Sequence, residues 1–310
     1  MKTVFIDGSA GTTGLRIRQR LSAREDLQLL TLPEQSRKDP AARAEALNSS
    51  NLAFLCLPDA AAIEAVSMVT NENTILLDTS TAHRTDPGWA YGFPELSAAH
   101  AEAIRTSKRI AVPGCHASGF IALVYPLIAA GFLAPDVLLT CFSLTGYSGG
   151  GKKMIAQYEE TDRPGVYDAP RQYALSQKHK HLPEMQAVTG LVNAPAFCPI
   201  VADFYSGMEV TVPVFRQQFL KTAAPEALRE FYRRWYTGGL VSVSDSPDPD
   251  GFLSANALEG KDAMELYVSG CDERLLLTAR YDNLGKGASG AAIECMNLVL
   301  GLDPAVGLEL

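Results

Sequence analysis

The sequence has no Cys-x-x-Cys pair and no cysteine spacing suited to a metal. Its six cysteines, Cys56, Cys115, Cys141, Cys198, Cys271 and Cys295, are scattered along 310 residues. Zinc-ribbon and disulfide-scaffold readings are therefore set aside, no metal is expected, and most of the thiols read as reduced core residues. Long apolar runs are missing too. Pro126 and Gly131 interrupt the most apolar stretch, residues 119–133, short of the roughly 18 apolar residues that would span a bilayer. Residues 1–7 run straight into a strand-length apolar stretch with no charged leader or cleavage site, so no signal peptide is expected and the chain reads as cytoplasmic. Positive charge is in deficit: 27 basic against 35 acidic residues give a net charge of −8, which argues against nucleic acid or an anionic membrane as partner. A small anion remains possible, because a few clustered cations can make a local positive pocket. No internal repeat or low-complexity tract occurs.

What is present is a globular composition, 47% hydrophobic and 20% charged, in a chain long enough to divide into two domains. Residues 4–6 read as a short buried strand. A glycine turn and a helical pattern with Ile17 and Leu21 on one face follow at once. Residues 27–32, 52–57 and 74–78 fit further strands, and 40–48 and 60–69 fit helices. Strands alternating with helices predict an α/β fold, a doubly wound parallel sheet of Rossmann type. After about Gly131 the pattern becomes β-rich, with strands at 137–144, 208–215, 263–269 and 275–281 and an amphipathic helix at 225–236. This predicts a second, α+β domain. A final helix at 287–300 is expected to dock on the first. The boundaries are drawn at 1–116, completed by 284–310, for the dinucleotide-binding domain, and at 117–283 for the second, α+β domain.

The turn after the first strand, Gly8-Ser9-Ala10-Gly11-Thr12-Thr13-Gly14, is spaced G-x-x-G-x-x-G rather than the commoner G-x-G-x-x-G. Glycines there let the backbone approach a pyrophosphate at the positive end of the next helix, and Ser9, Thr12 and Thr13 add hydroxyl donors. Past the second strand, Glu34 could hold the ribose diol of NAD. Ser36, Arg37 and Lys38 suit the additional 2′-phosphate of NADP better, so NADPH/NADP is the expected cofactor.

Val112-Pro113-Gly114-Cys115-His116-Ala117-Ser118-Gly119 places a cysteine between a Pro-Gly turn and an apolar helix pattern. The start of a helix favours a thiolate, the form that acts as nucleophile. Pro126, inside that helix, removes the hydrogen bond to residue 122. His179-Lys180-His181 holds two of only five histidines; in an extended segment both imidazoles would face one side and Lys180 the other. His116 is a rival base beside the cysteine. Gly146-Tyr147-Ser148-Gly149-Gly150-Gly151-Lys152-Lys153 offers backbone donors and charge suited to a phosphate, but it is not a P-loop, since Lys152 is followed by Lys153.

Pro113-Gly114-Cys115, His179-Lys180-His181-Leu182-Pro183-Glu184, Tyr91-Gly92-Phe93-Pro94-Glu95 and Asp282-Asn283-Leu284-Gly285-Lys286-Gly287-Ala288-Ser289-Gly290 together resemble the N-acetyl-γ-glutamyl-phosphate reductases, in their shorter form. The resemblance spans almost the whole chain. It implies NADPH-dependent reduction of an acyl phosphate to an aldehyde, with release of phosphate, in arginine biosynthesis. It further implies that 117–283 is a catalytic and dimerisation domain, with a thioester on Cys115 and a homodimer or homotetramer as the assembly. By the same resemblance His181, with His179 second, is the acid/base, and Asn283 and Gly287 contact the cofactor. Ser148, Gly149, Lys152, Lys180 and Glu184 become candidates for the substrate. Two departures from the longer form touch the substrate contacts: Cys115 is followed by His116-Ala117-Ser118 rather than Tyr-Pro-Thr, and the glycine-rich segment carries lysine instead of arginine. The rival readings are a related acyl-phosphate reductase, such as one forming aspartate semialdehyde, and an NADP-binding sensor that has lost the chemistry.

Overall fold

Along β1 (Lys2–Asp7), Val4 and Ile6 join one core cluster and Phe5 joins another, as in a strand covered on both faces. The computed structural model describes residues 1–221 and 223–310. In it β1 lies in a six-stranded parallel sheet with β2 (Leu27–Leu30), β3 (Leu52–Leu55), β4 (Ile75–Asp78), β5 (Ala90–Tyr91) and β6 (Arg109–Ala111), ordered β2-β1-β3-β4-β6-β5. The helices are α1 (Thr12–Leu21), α2 (Pro40–Ser49), α3 (Asp59–Ser67), α4 (Ala98–Thr106) and, from the far end of the chain, α9 (Gly290–Val299). Ile17 and Leu21 of α1, Ile104 of α4, and Ala292 and Met296 of α9 fill the Val4 side; Ala46 and Leu47 of α2 and Ala65 of α3 fill the Phe5 side. The strand order reverses at β1, so the turns after β1 and β3 flank the crevice where this fold takes dinucleotides.

Several boundaries differ from expectation. β2 ends at Leu30 and β3 at Leu55, each two residues early, because residues 31–38 leave the sheet and fold into turns and because Pro58 turns the chain into α3. α9 starts at Gly290 because Gly285–Ser289 forms a π-helical turn.

The second unit contains α5 (Cys115–Ala129), β7 (Thr140–Gly146), α6 (Gly151–Glu159), β8 (Arg171–Gln172), α7 (Leu182–Thr189), β9 (Ala196–Ala202), β10 (Met208–Phe215), α8 (Pro225–Trp235), β11 (Val241–Val243), β12 (Met264–Cys271) and β13 (Arg274–Tyr281). Its seven strands form a mixed sheet, β11-β12-β13-β10-β7-β9-β8. Strict alternation sends Val210, Val212 and Val214 of β10 and Leu275 and Leu277 of β13 inward, where α5 packs on β10 and β13 and α8 on β12. Pro126 lies inside α5 and leaves the Ala122 carbonyl without its helical donor. The Tyr236 hydroxyl donates to that oxygen at 2.7 Å, and the Tyr232 hydroxyl donates to the neighbouring Leu123 carbonyl.

The chain separates into Met1–Gly114 with Ala288–Leu308, and Cys115–Gly287 with Glu309–Leu310. The divisions fall at 114/115 and 287/288 rather than at 116/117 and 283/284. The first turn of α5 cannot be split from its helix. The π turn lies against it as well, since a Cβ on Gly287 would be 3.1 Å from that of Cys115. No helix among the described residues is long and apolar enough to cross a membrane.

Candidate active site

In the first unit the glycine turn closes on itself, with Gly11 N–H donating to the Gly8 carbonyl at 2.9 Å. Gly8 has φ +85°, and a Cβ there would fall 2.2 Å from the Cys56 carbonyl oxygen; on Gly14 it would fall 2.5 Å from the Gly8 oxygen. The fold itself therefore requires both glycines. Gly11 differs, because its nearest neighbour would be 3.4 Å away, an ordinary contact that a side chain could tolerate. The first turn of α1 carries Thr12 and Thr13 and no acidic residue, so nothing there opposes an anion and the residues fit a pyrophosphate. Arg37 pairs with Glu34 at 3.0 Å in an exposed loop, with Ser36 and Lys38 beside it. At the carboxyl end of β4, sequence reasoning passed over a buried cluster. The Asp78 carboxylate accepts from Ser80 Oγ at 2.7 Å and lies 2.6 Å from His83 Nδ1, whose ring stacks on Trp89.

In the second unit Cys115 is the first residue of α5 and is half-buried. An α-helix would close its first turn with Gly119 N–H on the Cys115 carbonyl. Here Tyr281 intervenes: its hydroxyl accepts from Gly119 N–H at 3.0 Å and donates to the Cys115 carbonyl at 2.5 Å. Residue 119 must be glycine for this, as a Cβ would fall 2.7 Å from that hydroxyl. The turn carrying the sulfur is thus held from two sides, by β13 through Tyr281 and by the π turn through Gly287.

Three histidines gather at this turn. The ring centroids of His116, His179 and His181 are 4.9 to 5.7 Å apart. The expected extended conformation of 179–181 is not found. Lys180 and His181 form a turn leading into α7, with His181 at the N-cap, and Pro183 at the second helical position suits a helix start rather than a strand. His181 is buried, His179 half-buried and Lys180 exposed. The His181 N–H donates to His179 Nδ1 at 3.3 Å, so the hydrogen of neutral His179 is on Nε2. Burial, then Lys180, lowers the His179 pKa to about 4. Burial, then His179 and Lys180, lowers that of His116 to about 3. His116 Nδ1 lies 2.6 Å from Ser143 Oγ and Nε2 2.7 Å from the Tyr173 hydroxyl. Ser143, Tyr173 and Tyr281 carry no motif and were not found from the sequence; alternation along β7 and β13 would have marked the first and last as inward-facing. Glu184, in the first turn of α7, is buried. Its charge bears on Tyr281.

The glycine-rich segment is more ordered than a surface loop. Residues Tyr147–Gly150 form a 3-10 turn, and α6 begins at Gly151, where φ is +69°. Ser148 is buried and accepts from Asn283 Nδ2 at 3.0 Å; Asn283 Oδ1 in turn accepts from Gly207 N–H at 2.9 Å. Asn283 thereby braces this segment. Gly149 and Lys152 are exposed. Among the described residues no group of His, Cys, Asp or Glu could hold a metal ion.

Residues 31–104 match the family described as semialdehyde dehydrogenase, NAD binding domain, and residues 115–283 the semialdehyde dehydrogenase dimerisation domain. The chain is 45% identical over 304 residues to an N-acetyl-gamma-glutamyl-phosphate reductase of Rhizobium etli, covering 96% of this chain and 98% of that one. With N-acetyl-gamma-glutamyl-phosphate reductase 2 of Nostoc sp. it shares 43% identity, covering 98% of each. Aspartate semialdehyde dehydrogenase II from Vibrio cholerae, solved with ASA, has the same fold at a TM-score of 0.73 and 15% identity, covering 97% of this chain and 98% of that one. The enzyme from Candida albicans, solved with NADP, gives 0.68 and 14%, covering 97% and 98%. Identity at this level across nearly the full length of both chains means that this chain belongs to the N-acetyl-gamma-glutamyl-phosphate reductases, within the semialdehyde dehydrogenase family.

Proposed function

We propose that the chain reduces N-acetyl-γ-glutamyl phosphate to N-acetylglutamate 5-semialdehyde with NADPH, releasing phosphate, as a cytoplasmic enzyme of arginine biosynthesis. The observation that carries this reading is the half-buried Cys115 in a braced first helical turn, within a cluster of three histidines. The names of relatives with 45% identity supply the substrate.

The Cys115 thiolate attacks the acyl carbon, and phosphate leaves with the electrons of the C–O bond, giving a thioester. The dinucleotide, when bound, supplies the hydride that reduces this thioester. The resulting thiohemiacetal returns its hydroxyl proton to the histidine and collapses to the aldehyde, with the sulfur leaving as thiolate. His181, with His179 as second choice, holds the thiol proton and protonates the oxyanion as it develops. Ser148 already accepts from Asn283, so its own hydrogen is directed to another acceptor. With Gly149, Lys152 and Lys180 it holds the phosphate, and the buried Glu184 orients the rest of the substrate. Gly8 to Gly14 cradle the pyrophosphate. Asn283 and Gly287 bound the nicotinamide side, Asn283 by keeping its segment in place. Arg37 neutralises Glu34 at 3.0 Å in an exposed pair that is cheap to break, which favours a 2′-phosphate at Ser36, Arg37 and Lys38 over a free ribose diol. A second copy of this chain covers the outer face of the mixed sheet.

Purified enzyme should reverse the reaction, reducing NADP in the presence of phosphate and N-acetylglutamate semialdehyde but not aspartate semialdehyde, and should do so poorly with NAD. Cys115→Ala should abolish turnover and leave NADPH binding intact. Turnover surviving that substitution, or a preference for aspartate semialdehyde, would refute the assignment.

A further inference from the structure

A neutral imidazole carries one ring hydrogen, so His116 donates on one side and accepts on the other. Ser143 decides which. It is 0% exposed on β7, and among the described residues its hydroxyl has His116 Nδ1, at 2.6 Å, as its hydrogen-bond partner and no other. With the ring hydrogen on Nδ1, the Ser143 hydrogen would be shut in the core without an acceptor, which is costly. Ser143 therefore donates to Nδ1, the ring hydrogen sits on Nε2, and Nε2–H donates to the Tyr173 oxygen at 2.7 Å. Tyr173 keeps its own hydrogen for a further acceptor. That acceptor has somewhere to be, since Tyr173 is only half-buried. Burial raises the Tyr173 pKa, and the charge on Cys115 raises it further, so the hydroxyl stays protonated within electrostatic reach of the sulfur.

We propose that Tyr173 is a further catalytic residue, donating a hydrogen bond to the oxygen of the acyl group on Cys115, and that His116 and Ser143 are positioning residues that aim it. The proposal rests on Cys115 being the nucleophile. Tyr173 itself transfers no proton. The Tyr173 O–H bond stays intact while thiolate or hydride adds to the carbon and charge gathers on the oxygen, and the C=O bond re-forms as phosphate or sulfur departs. His116 is then a fixed neutral support, and the acid/base work stays with His179 and His181.

Two measurements test this. Protein labelled with 15N-histidine, without ligand, should show His116 neutral with its hydrogen on Nε2 throughout pH 5 to 9; an Nδ1–H tautomer, or a titration inside that range, would overturn the proposal. In the acyl-phosphate assay Tyr173→Phe should lower kcat by about a hundred- to a thousandfold, with KM within about twofold, as for loss of one oxyanion donor. His116→Gln, whose amide nitrogen stands where Nε2 stood, should keep much of the wild-type rate. His116→Asn, which reaches only the Nδ1 position, should remain as slow as Tyr173→Phe. An unimpaired Tyr173→Phe, or equal losses in the two His116 variants, would refute the role. Wild-type protein without acyl-phosphate turnover would instead refute the proposed function, and the tautomer would still decide the hydrogen-bond chain.

Discussion

His116 carries a stability consequence apart from its place beside Cys115. Its ordinary pKa of 6.5 falls to about 3 in the fold, chiefly through burial and then through His179 and Lys180. In the unfolded chain the imidazole takes up a proton as pH drops through 6.5, while the folded protein keeps it neutral. The unfolded state therefore binds the extra proton, and stability present above pH 6.5 is lost as pH falls towards 3. At pH 5 the loss from such a histidine is about 2 kcal/mol relative to pH 8, because it depends on the unfolded value alone while the folded pKa lies lower. Urea unfolding at pH 8 and pH 5 should show His116→Gln losing about 2 kcal/mol less than wild type over that interval; equal losses would mean that His116 is protonated in the fold.

Elements were legible where a period was long enough to see. β10 (Met208–Phe215) has the bounds expected for it, because buried positions alternate with half-buried or exposed ones along its whole length. α4, β6, α7 and β9 were not anticipated; three of them have fewer than nine residues or little amphipathic contrast, and their burial comes from neighbours that a sequence does not name. The histidine segment was noticed for its residue types, but its turn is set by Pro183 and by α7 packing on α5. The Tyr173 and Tyr281 hydroxyls meet their partners across 57 to 166 residues of separation, which no local pattern encodes. The glycine turn was legible as a motif, and the structure separates its members. Gly14→Ala places a Cβ 2.5 Å from the Gly8 oxygen and should cost about 1–3 kcal/mol of stability, as overpacking does. Gly11→Ala meets nothing closer than 3.4 Å and should leave the melting temperature nearly unchanged while weakening NADPH binding at least about tenfold, if the pyrophosphate approaches that backbone. Calorimetry with NADPH on both variants checks this, and unchanged affinity in Gly11→Ala would remove the pyrophosphate from this turn.

At the scale of the whole molecule, the outer face of the mixed sheet needs a cover. Phe142, Phe215 and Leu276 are 45%, 55% and 44% exposed. Strand register puts Phe142 opposite Thr211 and Leu276 opposite Pro213, so these side chains share one face, where Leu144 and Ile200 also lie half-buried. A row of apolar groups on the open side of a sheet marks an interface rather than a solvated surface. Residues 115–283 match a dimerisation domain, which supports the proposal that a second copy covers this face. In a two-fold assembly each copy presents the same patch, so one substitution enters the interface twice. Leu276→Lys should therefore bring two ammonium groups into one apolar contact and cost several times what a lysine costs on a free surface. Light scattering should show wild type at twice the chain mass or a multiple of it, and Leu276→Lys at the mass of one chain with its Cys115 thiol still reactive. A wild-type monomer, or a variant still fully assembled at micromolar concentration, would place the contact between copies on some other surface.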